Sequence, residues 1–385
     1  MNWKPSIFTF IFSLLLFQQA FTQTTYFPEE REWQEKQASA YNLDLTEVVK
    51  FAKNNEYTGP KDLRQAILKG FEHEPYHEIL GPTKRRGGPT GMIIKNGYLI
   101  AKWGDTKRVD MTFSVTKSFL STTALIALEE NLIESVNQPV KELVWDDTFE
   151  GKHNSKITWK HLLQQNSDWS GSLWDTYDWA DRPSRDGSID DWRARKLNEP
   201  GTHFKYNDVR VNVLAYSLLQ VFREPLPKIL KEEIMDPIGA SPTWRWFGYD
   251  NSWVDIDGLK MQSVSGGGHS GGGLFINTED MARFGYLFLN DGKWRDQQLL
   301  QAELINEAMT ASEANKNYGY MWWLNRAEEP QWKNINRDIF YAAGFGGNFI
   351  IVDKTNDMVI VTRWLEPSKL EEFMQIVNKS LNDAK

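Results

Sequence analysis

The chain of 385 residues carries a formal charge of −8, has no cysteine and contains 17 tryptophans. Without cysteine there is no disulfide, no thiolate nucleophile and no zinc–thiolate site. The negative balance argues against a nucleic-acid binder that works by neutralising phosphates. The length suffices for two domains, or for one core with a large insertion.

Met1-Asn2-Trp3-Lys4 is a short positive start, Ile7 to Phe17 is mostly apolar, and a polar stretch runs from Gln18 to Gln23. The pattern predicts a secretory signal peptide over 1–23, cut between Ala20 and Gln23. The apolar stretch is too short to span a bilayer, and an uncleaved anchor is the alternative. No stable membrane span is expected after cleavage. Export without disulfides fits a periplasmic or secreted bacterial enzyme.

Residues 24–90 read as an N-terminal extension. Leu45 to Phe51 and Lys61 to Phe71 are weakly helical, with breaks at Gly59-Pro60 and Gly81-Pro82. His73-Glu74-Pro75-Tyr76-His77 fits the H-E-x-x-H pattern. Two histidines so spaced bind zinc only on one helix face, and Pro75 opposes a helix there. No metal and no cofactor are expected.

The signal sharpens at Gly91. Met92 to Ile94 and Tyr98 to Trp103 flank Asn96-Gly97, a hairpin with an Asn-Gly turn. Phe113-Ser114-Val115-Thr116-Lys117 follows and leads into a helix from Val115 to Leu128, apolar nearly all round. Such a helix is buried. A lysine inside it is costly unless it has a partner or a task. The i to i+3 spacing sets Lys117 one turn from Ser114 on the same face. Ser114 stands at the helix N-terminus, where free N–H groups favour developing negative charge. A serine so placed is a candidate nucleophile; the plain alternative is an N-cap.

Thr158 is the expected N-cap of a helix from Trp159 to Gln165. Residues 166–201 are loop-like and hold Trp169, Trp174, Trp179, Asp181, Arg182 and Trp192. This is either a binding loop or a solvent-facing insertion stapled by aromatics. A largely apolar helix runs from Val209 to Gln220, just after Tyr206-Asn207-Asp208. The stretch Ser265 to Gly273 reads as a flexible glycine loop, with His269 as a polar wall of a cleft. Gly268-His269-Ser270-Gly271-Gly272 matches G-x-S-x-G, but a nucleophile elbow needs a later histidine and none follows His269. Leu274 to Ile276 is a strand, and Thr278 is the expected cap of a helix from Glu279 to Leu289. Asn348 to Val352 and Met358 to Thr362 are strands, and Leu370 to Leu381 is a final amphipathic helix. Terminal strands that pair into one antiparallel sheet, flanked by terminal helices, with a large mostly helical insertion between them, define an α+β fold.

The order of these motifs resembles the serine β-lactamase and penicillin-binding-protein superfamily. It is most similar to the class C β-lactamase-like hydrolases, including esterases and 6-aminohexanoate-dimer hydrolases. The similarity runs from about Gly91 to Thr362. It is carried by Phe113-Ser-Val-Thr-Lys-Ser-Phe, Ile157-Thr-Trp-Lys-His-Leu-Leu, Gly272-Gly-Leu-Phe-Ile-Asn-Thr-Glu-Asp-Met-Ala-Arg-Phe-Gly, Tyr318 to Trp323 and Ala343 to Asn348. The resemblance implies a hydrolase domain over 91–365, with residues 366–385 packing on the sheet as a C-terminal helix. It implies that Ser114 attacks an ester or amide carbonyl and forms an acyl-enzyme. Lys117, its pKa lowered by burial, would accept or relay the serine proton. Tyr206, its phenolate favoured by Lys117, would pass a proton to the leaving group. The backbone of Ser114 and of Asn348 would hold the oxyanion, and Gly344, Gly346 and Gly347 would admit substrate to the strand. His269 would flank the site.

Two positions depart from the family pattern. The third residue of Tyr-x-Asn is Asp208, which offers no amide donor but suits a hydrogen bond to Lys117. The slot for a lysine or histidine ahead of the last glycines falls at Phe345, or at Gly344 one register earlier. A substrate carboxylate then has no obvious cation. Arg363 is either a substitute or an ordinary exposed strand-end arginine. The sequence therefore predicts a serine esterase or amidase ahead of a D-Ala carboxypeptidase or β-lactamase. A non-catalytic binder of cell-wall peptides is the alternative of another class.

Overall fold

The computed structural model describes residues 25–383. The predicted signal peptide lies outside the described residues. Strands β1 (Thr90–Lys95) and β2 (Tyr98–Trp103) form the first hairpin. Its turn has Asn96 at φ 51° and Gly97 at φ 81°, the left-handed pair that a two-residue type I′ turn requires. β3 (Asp110–Met111), β4 (Arg245–Ile256), β5 (Leu259–Val264) and β6 (Gly273–Ile276) make a small sheet in the order β3-β6-β4-β5. β7 (Trp323–Leu324), β8 (Phe340–Gly344), β9 (Asn348–Asp353) and β10 (Met358–Arg363) join the first hairpin. The resulting six-stranded sheet has the order β7-β8-β9-β10-β1-β2. β1 pairs antiparallel with β10, Ile93 opposite Ile360, so the two ends of the domain close on each other.

Both faces of that sheet are buried, which is why its strands read as continuous apolar runs. Ile94, Ile350, Val359 and Val361 join the large core. Their neighbours Ile93, Ile351 and Ile360 point to a second core, as the two-residue period of a strand demands. Helices α1 (Thr46–Asn54) and α7 (Leu370–Asp383) cover the second face, with Val48, Phe373 and Val377 in its core. Helix α6 (Thr278–Leu289) covers the first face. Its N-cap is Asn277, whose side chain accepts from Asp280 N at 2.7 Å, one residue ahead of the threonine expected from sequence. Helix α2 (Leu63–Gly70) lies beside the site. Among the described residues, no helix is long and apolar enough to cross a membrane.

Helix α3 (Thr116–Glu129) follows a 3-10 turn over Phe113–Val115, and every residue from Thr116 to Ala127 is buried. Helix α4 (Trp159–Leu163) is capped by Thr158, as expected. Helix α5 (Asp208–Phe222) is capped by Asn207, whose side chain accepts from Arg210 N. The middle of the chain is less purely helical than its sequence suggests, because β4 and β5 form a long hairpin there. Its turn, Asp257-Gly258 with φ of 56° and 77°, was a legible hairpin signal.

Candidate active site

Ser114 stands where the chain turns sharply into α3. Phe113, just before it, has φ 49°, an uncommon conformation for a bulky residue. The glycine loop secures that turn. A Cβ on Gly267 would sit 2.1 Å from the Phe113 carbonyl oxygen, so only glycine lets the two segments meet. The whole stretch from Ser265 to Gly273 is buried. It is a packed support for the nucleophile turn, where the sequence suggested a flexible loop beside a cleft.

Lys117, 1% exposed, donates to Ser114 Oγ at 2.9 Å and to the Gly266 carbonyl at 3.2 Å. Its third partner is Asp208 Oδ1, at 2.7 Å. Burial pushes the lysine pKa down, but Asp208 more than offsets this and the net shift is upward. The lowered lysine expected from burial alone is thus corrected by the acid that replaces the family's asparagine: Lys117 is held as a cation. Asp208 lies well below the usual carboxylate range, because Arg182, Lys117 and His269 outweigh its burial.

The ion pairs continue behind Asp208. Its Oδ2 accepts from Arg182 Nη2 at 2.8 Å and lies 3.1 Å from His269 Nδ1. Arg182 also pairs with Asp181 at 2.7 Å, and the Asp181 carboxylate accepts the Asp208 backbone N–H. His269 Nε2 reaches Glu74 Oε2 at 3.0 Å. Burial raises the carboxyl of Asp181. Burial works the same way on Glu74, but the hydrogen bond from His269 brings it below its usual value. Glu74, Asp181 and His269 bring ligand atoms within 4.8 Å of one another, close enough to hold a metal ion. In the structure they form ion pairs with one another, with Arg182 and with Asp208, and Glu74 Oε2 has His269 Nε2 at 3.0 Å without an aligned hydrogen-bond donor.

Ser114 and Tyr206 open onto a cavity of about 590 Å³. Its walls are largely aromatic, from Phe71, Trp323, Tyr341, Phe345 and Phe349, with Gln331, Ser368 and Glu371 among its polar lining groups. Tyr206 lies nearly parallel to Trp323, with ring centres 5.9 Å apart. Lys117 Nζ and Arg182 Cζ lie 5.1 and 5.2 Å from the centre of its ring.

The structure therefore brings together Ser114, Lys117, Tyr206, Asp208 and Phe345. It places the other expected residues elsewhere. Asn348 is fully buried, accepting from Arg363 Nε at 2.9 Å and donating to the Phe345 carbonyl at 2.8 Å; neither it nor Gly347 lines the cavity. The part of that hairpin that reaches the nucleophile is Gly344-Phe345: a Cβ on Gly344 would lie 3.3 Å from Ser114 N and 2.2 Å from the Thr112 carbonyl. His269 lies behind Asp208, off the cavity. Arg363 fits neither sequence reading. It is 2% exposed and ties Asn348 to the carbonyls of Met111 and Ile276, bracing the sheets. Burial, only partly offset by Asp110, lowers it to about 10.

Arg182, Asp181, Phe71 and Glu74 are the participants that the sequence did not place in the site. The first two stand in the tryptophan-rich segment; Glu74 stands inside the discounted H-E-x-x-H match. That segment is pinned down. Arg210 reaches Asp168 at 2.7 Å and Asp178 at 3.0 Å, and Arg195 reaches the same two acids at 2.9 and 2.8 Å. These pairs anchor the segment to α5 at Asp168, Asp178 and Arg195, and Arg182, four residues past Asp178, lines the cavity.

A serine–lysine pair at the start of a buried helix, beside an antiparallel sheet, is the arrangement whose sequence motifs resemble the serine β-lactamase and penicillin-binding-protein superfamily. The sequence model of the Beta-lactamase family matches residues 92–364, and the chain belongs to that family. An Escherichia coli O157:H7 protein, provisionally named a D-alanyl-D-alanine carboxypeptidase, is 25% identical over 195 residues, 42% of this chain. The match spans 45% of that relative, so the chain covers about half its length. A Bacillus anthracis protein, provisionally titled a 6-aminohexanoate-dimer hydrolase, superposes with a TM-score of 0.55 at 18% identity, over 93% of this chain and 97% of that one. A family VIII carboxylesterase superposes with a TM-score of 0.53 at 17% identity, over 82% and 96%. At these identities the two solved structures establish the shared fold.

Proposed function

We propose that this protein is an exported serine hydrolase that cleaves an ester or an amide through an acyl-enzyme on Ser114. The observation that carries the reading is the buried lysine donating to the serine oxygen at 2.9 Å, at the floor of an aromatic cavity. A binding protein has no use for a cation buried under a hydroxyl. Export rests on the N-terminal pattern at 1–23, and the hydrolase domain is taken as 91–365.

Asp208 keeps Lys117 protonated, so the lysine has no lone pair with which to act as a base. Its role is to fix the Ser114 oxygen and to stabilise charge there. Tyr206 relays the proton: its hydroxyl oxygen accepts the serine proton as Oγ bonds to the carbonyl carbon, while its own O–H proton passes to the departing alkoxide or amine. The carbonyl oxygen, turned to an oxyanion, is held by the backbone N–H of Ser114 and one from the Gly344-Phe345 turn. Water then repeats the sequence on the acyl-enzyme.

The cavity favours neutral, apolar substrates. Arg182 is the one cation among its lining residues, and Asp181 and Asp208 already neutralise it. A substrate carboxylate therefore meets no free positive charge, which ranks esters and amides with apolar acyl groups above β-lactams and D-Ala peptides. Hydrolysis of p-nitrophenyl esters, beside nitrocefin and an aminohexanoate amide, tests this. Ser114→Ala is expected to lower turnover at least roughly 10⁴-fold and to abolish fluorophosphonate labelling with little change in Tm. Labelling that survives the substitution would sink the assignment and favour the non-catalytic cell-wall peptide binder.

A further inference from the structure

Glu74 belongs to the N-terminal extension, yet it is 3% exposed and ends on the far nitrogen of His269. The near nitrogen of that ring faces Asp208 Oδ2 at 3.1 Å. An ionised carboxylate only accepts hydrogen bonds, whereas a neutral imidazole has one N–H and one bare nitrogen. A ring with a carboxylate oxygen at each nitrogen satisfies both contacts only as imidazolium. Phe71, also from the extension, stacks on the ring at 4.2 Å with 17° between planes and closes that face to water.

The charge count agrees. The groups facing the cluster are Lys117 from α3, Asp208 from α5, Asp181 and Arg182 from the pinned segment, Glu74 from the extension and His269 from the glycine loop. Tyr206 and Tyr249 border it, and His73 stands 4.0 Å from Glu74 Oε1. Three carboxylates balance Lys117 and Arg182 only with a third cation, and His269 supplies it. A buried excess charge is what such a cluster must avoid.

We propose that Glu74 and His269 are positioning residues for the hydrolytic site: their ion pair holds Asp208 anionic with Oδ1 turned to Lys117, and loss of the imidazolium proton sets the alkaline limit of activity. Burial opposes a charged ring, but the hydrogen bonds to Asp208 and Glu74 raise His269 to about 9. Its charge is therefore held through neutral pH and is lost as pH rises through about 9. Beyond that point the cluster carries one unmatched negative charge, and Asp208 loses one of the donors that fix its orientation.

The activity arm of the test rests on the proposed hydrolase function; the spectroscopic arm does not. The full chain is labelled with ¹⁵N-histidine, and His269 is assigned by its loss in His269→Gln. Both ring nitrogens are expected to be protonated at pH 7, in the wild type and in Ser114→Ala alike, with titration near pH 9. In Glu74→Gln the ring is expected to titrate at least about one pH unit lower, and the alkaline limb of kcat/KM on a p-nitrophenyl ester to move down with it. A purely structural Glu74 would lower Tm and leave that limb in place, which overturns the proposal. A neutral His269 at pH 7 in the wild type overturns it too, whether or not Glu74→Gln folds. Absence of any esterase or amidase turnover, with His269 doubly protonated, defeats the hydrolase reading and leaves the charge assignment standing.

Discussion

Two buried charge clusters meet on the first turn of α5, one through Asp208 and the other through Arg210. The Arg210 cluster is a closed ring in which each of two arginines bridges the same two aspartates. Arginine does not deprotonate in proteins, and its planar fork matches carboxylate geometry. That ring can do one thing, which is to hold residues 166–201 against α5. The Asp208 cluster uses the same ion-pair chemistry but includes a lysine and a histidine, and it opens through Ser114 and Tyr206 onto a cavity. It contains side chains that can titrate, unlike the arginines of the ring. The lesson is that burial and pairing alone do not mark a functional site; titratable partners with access to a cavity do.

Substitutions on the two sides of α5 should separate these roles. The largest effect is expected from Asp208→Asn, which removes the anion holding Lys117, Arg182 and His269. A fall in kcat/KM of roughly 10³-fold is expected, with the fold retained by circular dichroism. Activity within threefold of wild type would erase the distinction between the clusters. Next comes Arg210→Met, which leaves two buried aspartates sharing one arginine. A stability loss of about 3 kcal/mol, read from denaturant unfolding, is expected, with kcat per folded molecule nearly unchanged. A matching loss of kcat would show that the pinned segment is part of the machinery.

The third test sharpens the comparison by pH. Burial works to raise Asp168, but Arg210, Arg195 and the Asn198 N–H bring it down to about 2. A carboxyl so depressed adds stability that is complete above its ordinary value near 3.8 and is lost as pH falls toward about 2. The contribution is roughly 2 kcal/mol. The stability difference between wild type and Asp168→Asn should therefore shrink steadily between pH 5 and 2. A difference independent of pH would mean that the ring is held by packing and not by charge. The smallest effect is expected for the exposed pair Arg223–Asp257, with side chains 57% and 45% exposed. Solvent screens such a pair, so Arg223→Ala should leave Tm and activity unchanged. A clear drop in Tm would show that exposure is a poor guide to which pairs matter here.

Much of the fold was legible from local pattern. Asn96-Gly97 specified a hairpin, an all-apolar helix after Ser114 specified a core, and Thr158 specified a cap; each signal depends on a few adjacent residues. The β4–β5 hairpin was less legible although Asp257-Gly258 marks its turn, because alternating polar and aromatic residues blur the strand signal. In the site, Ser114 and Lys117 were legible because one helical turn sets both, whereas Tyr206 was placed only by the order of motifs that resembles the family. Asn348 was expected to lend its backbone N–H to the oxyanion, yet it is buried with its side chain tied to Arg363, and Gly344 is the part of the hairpin that approaches Ser114 N.

The sequence by itself determined which elements form and the order of motifs that points to the family. It also determined that the third motif lacks a cation. Those properties rest on local conformational preference, hydrophobic period and residue identity, all of which are written along the chain. The protonation of the site was decided only in three dimensions. Burial predicts a neutral lysine, and only the fold brings Asp208 to within 2.7 Å of it. Glu74, His269 and Arg182 come from three distant segments, and no local rule aims them at one carboxylate. Electrostatic energy depends on distances in space, and the tertiary structure sets those distances.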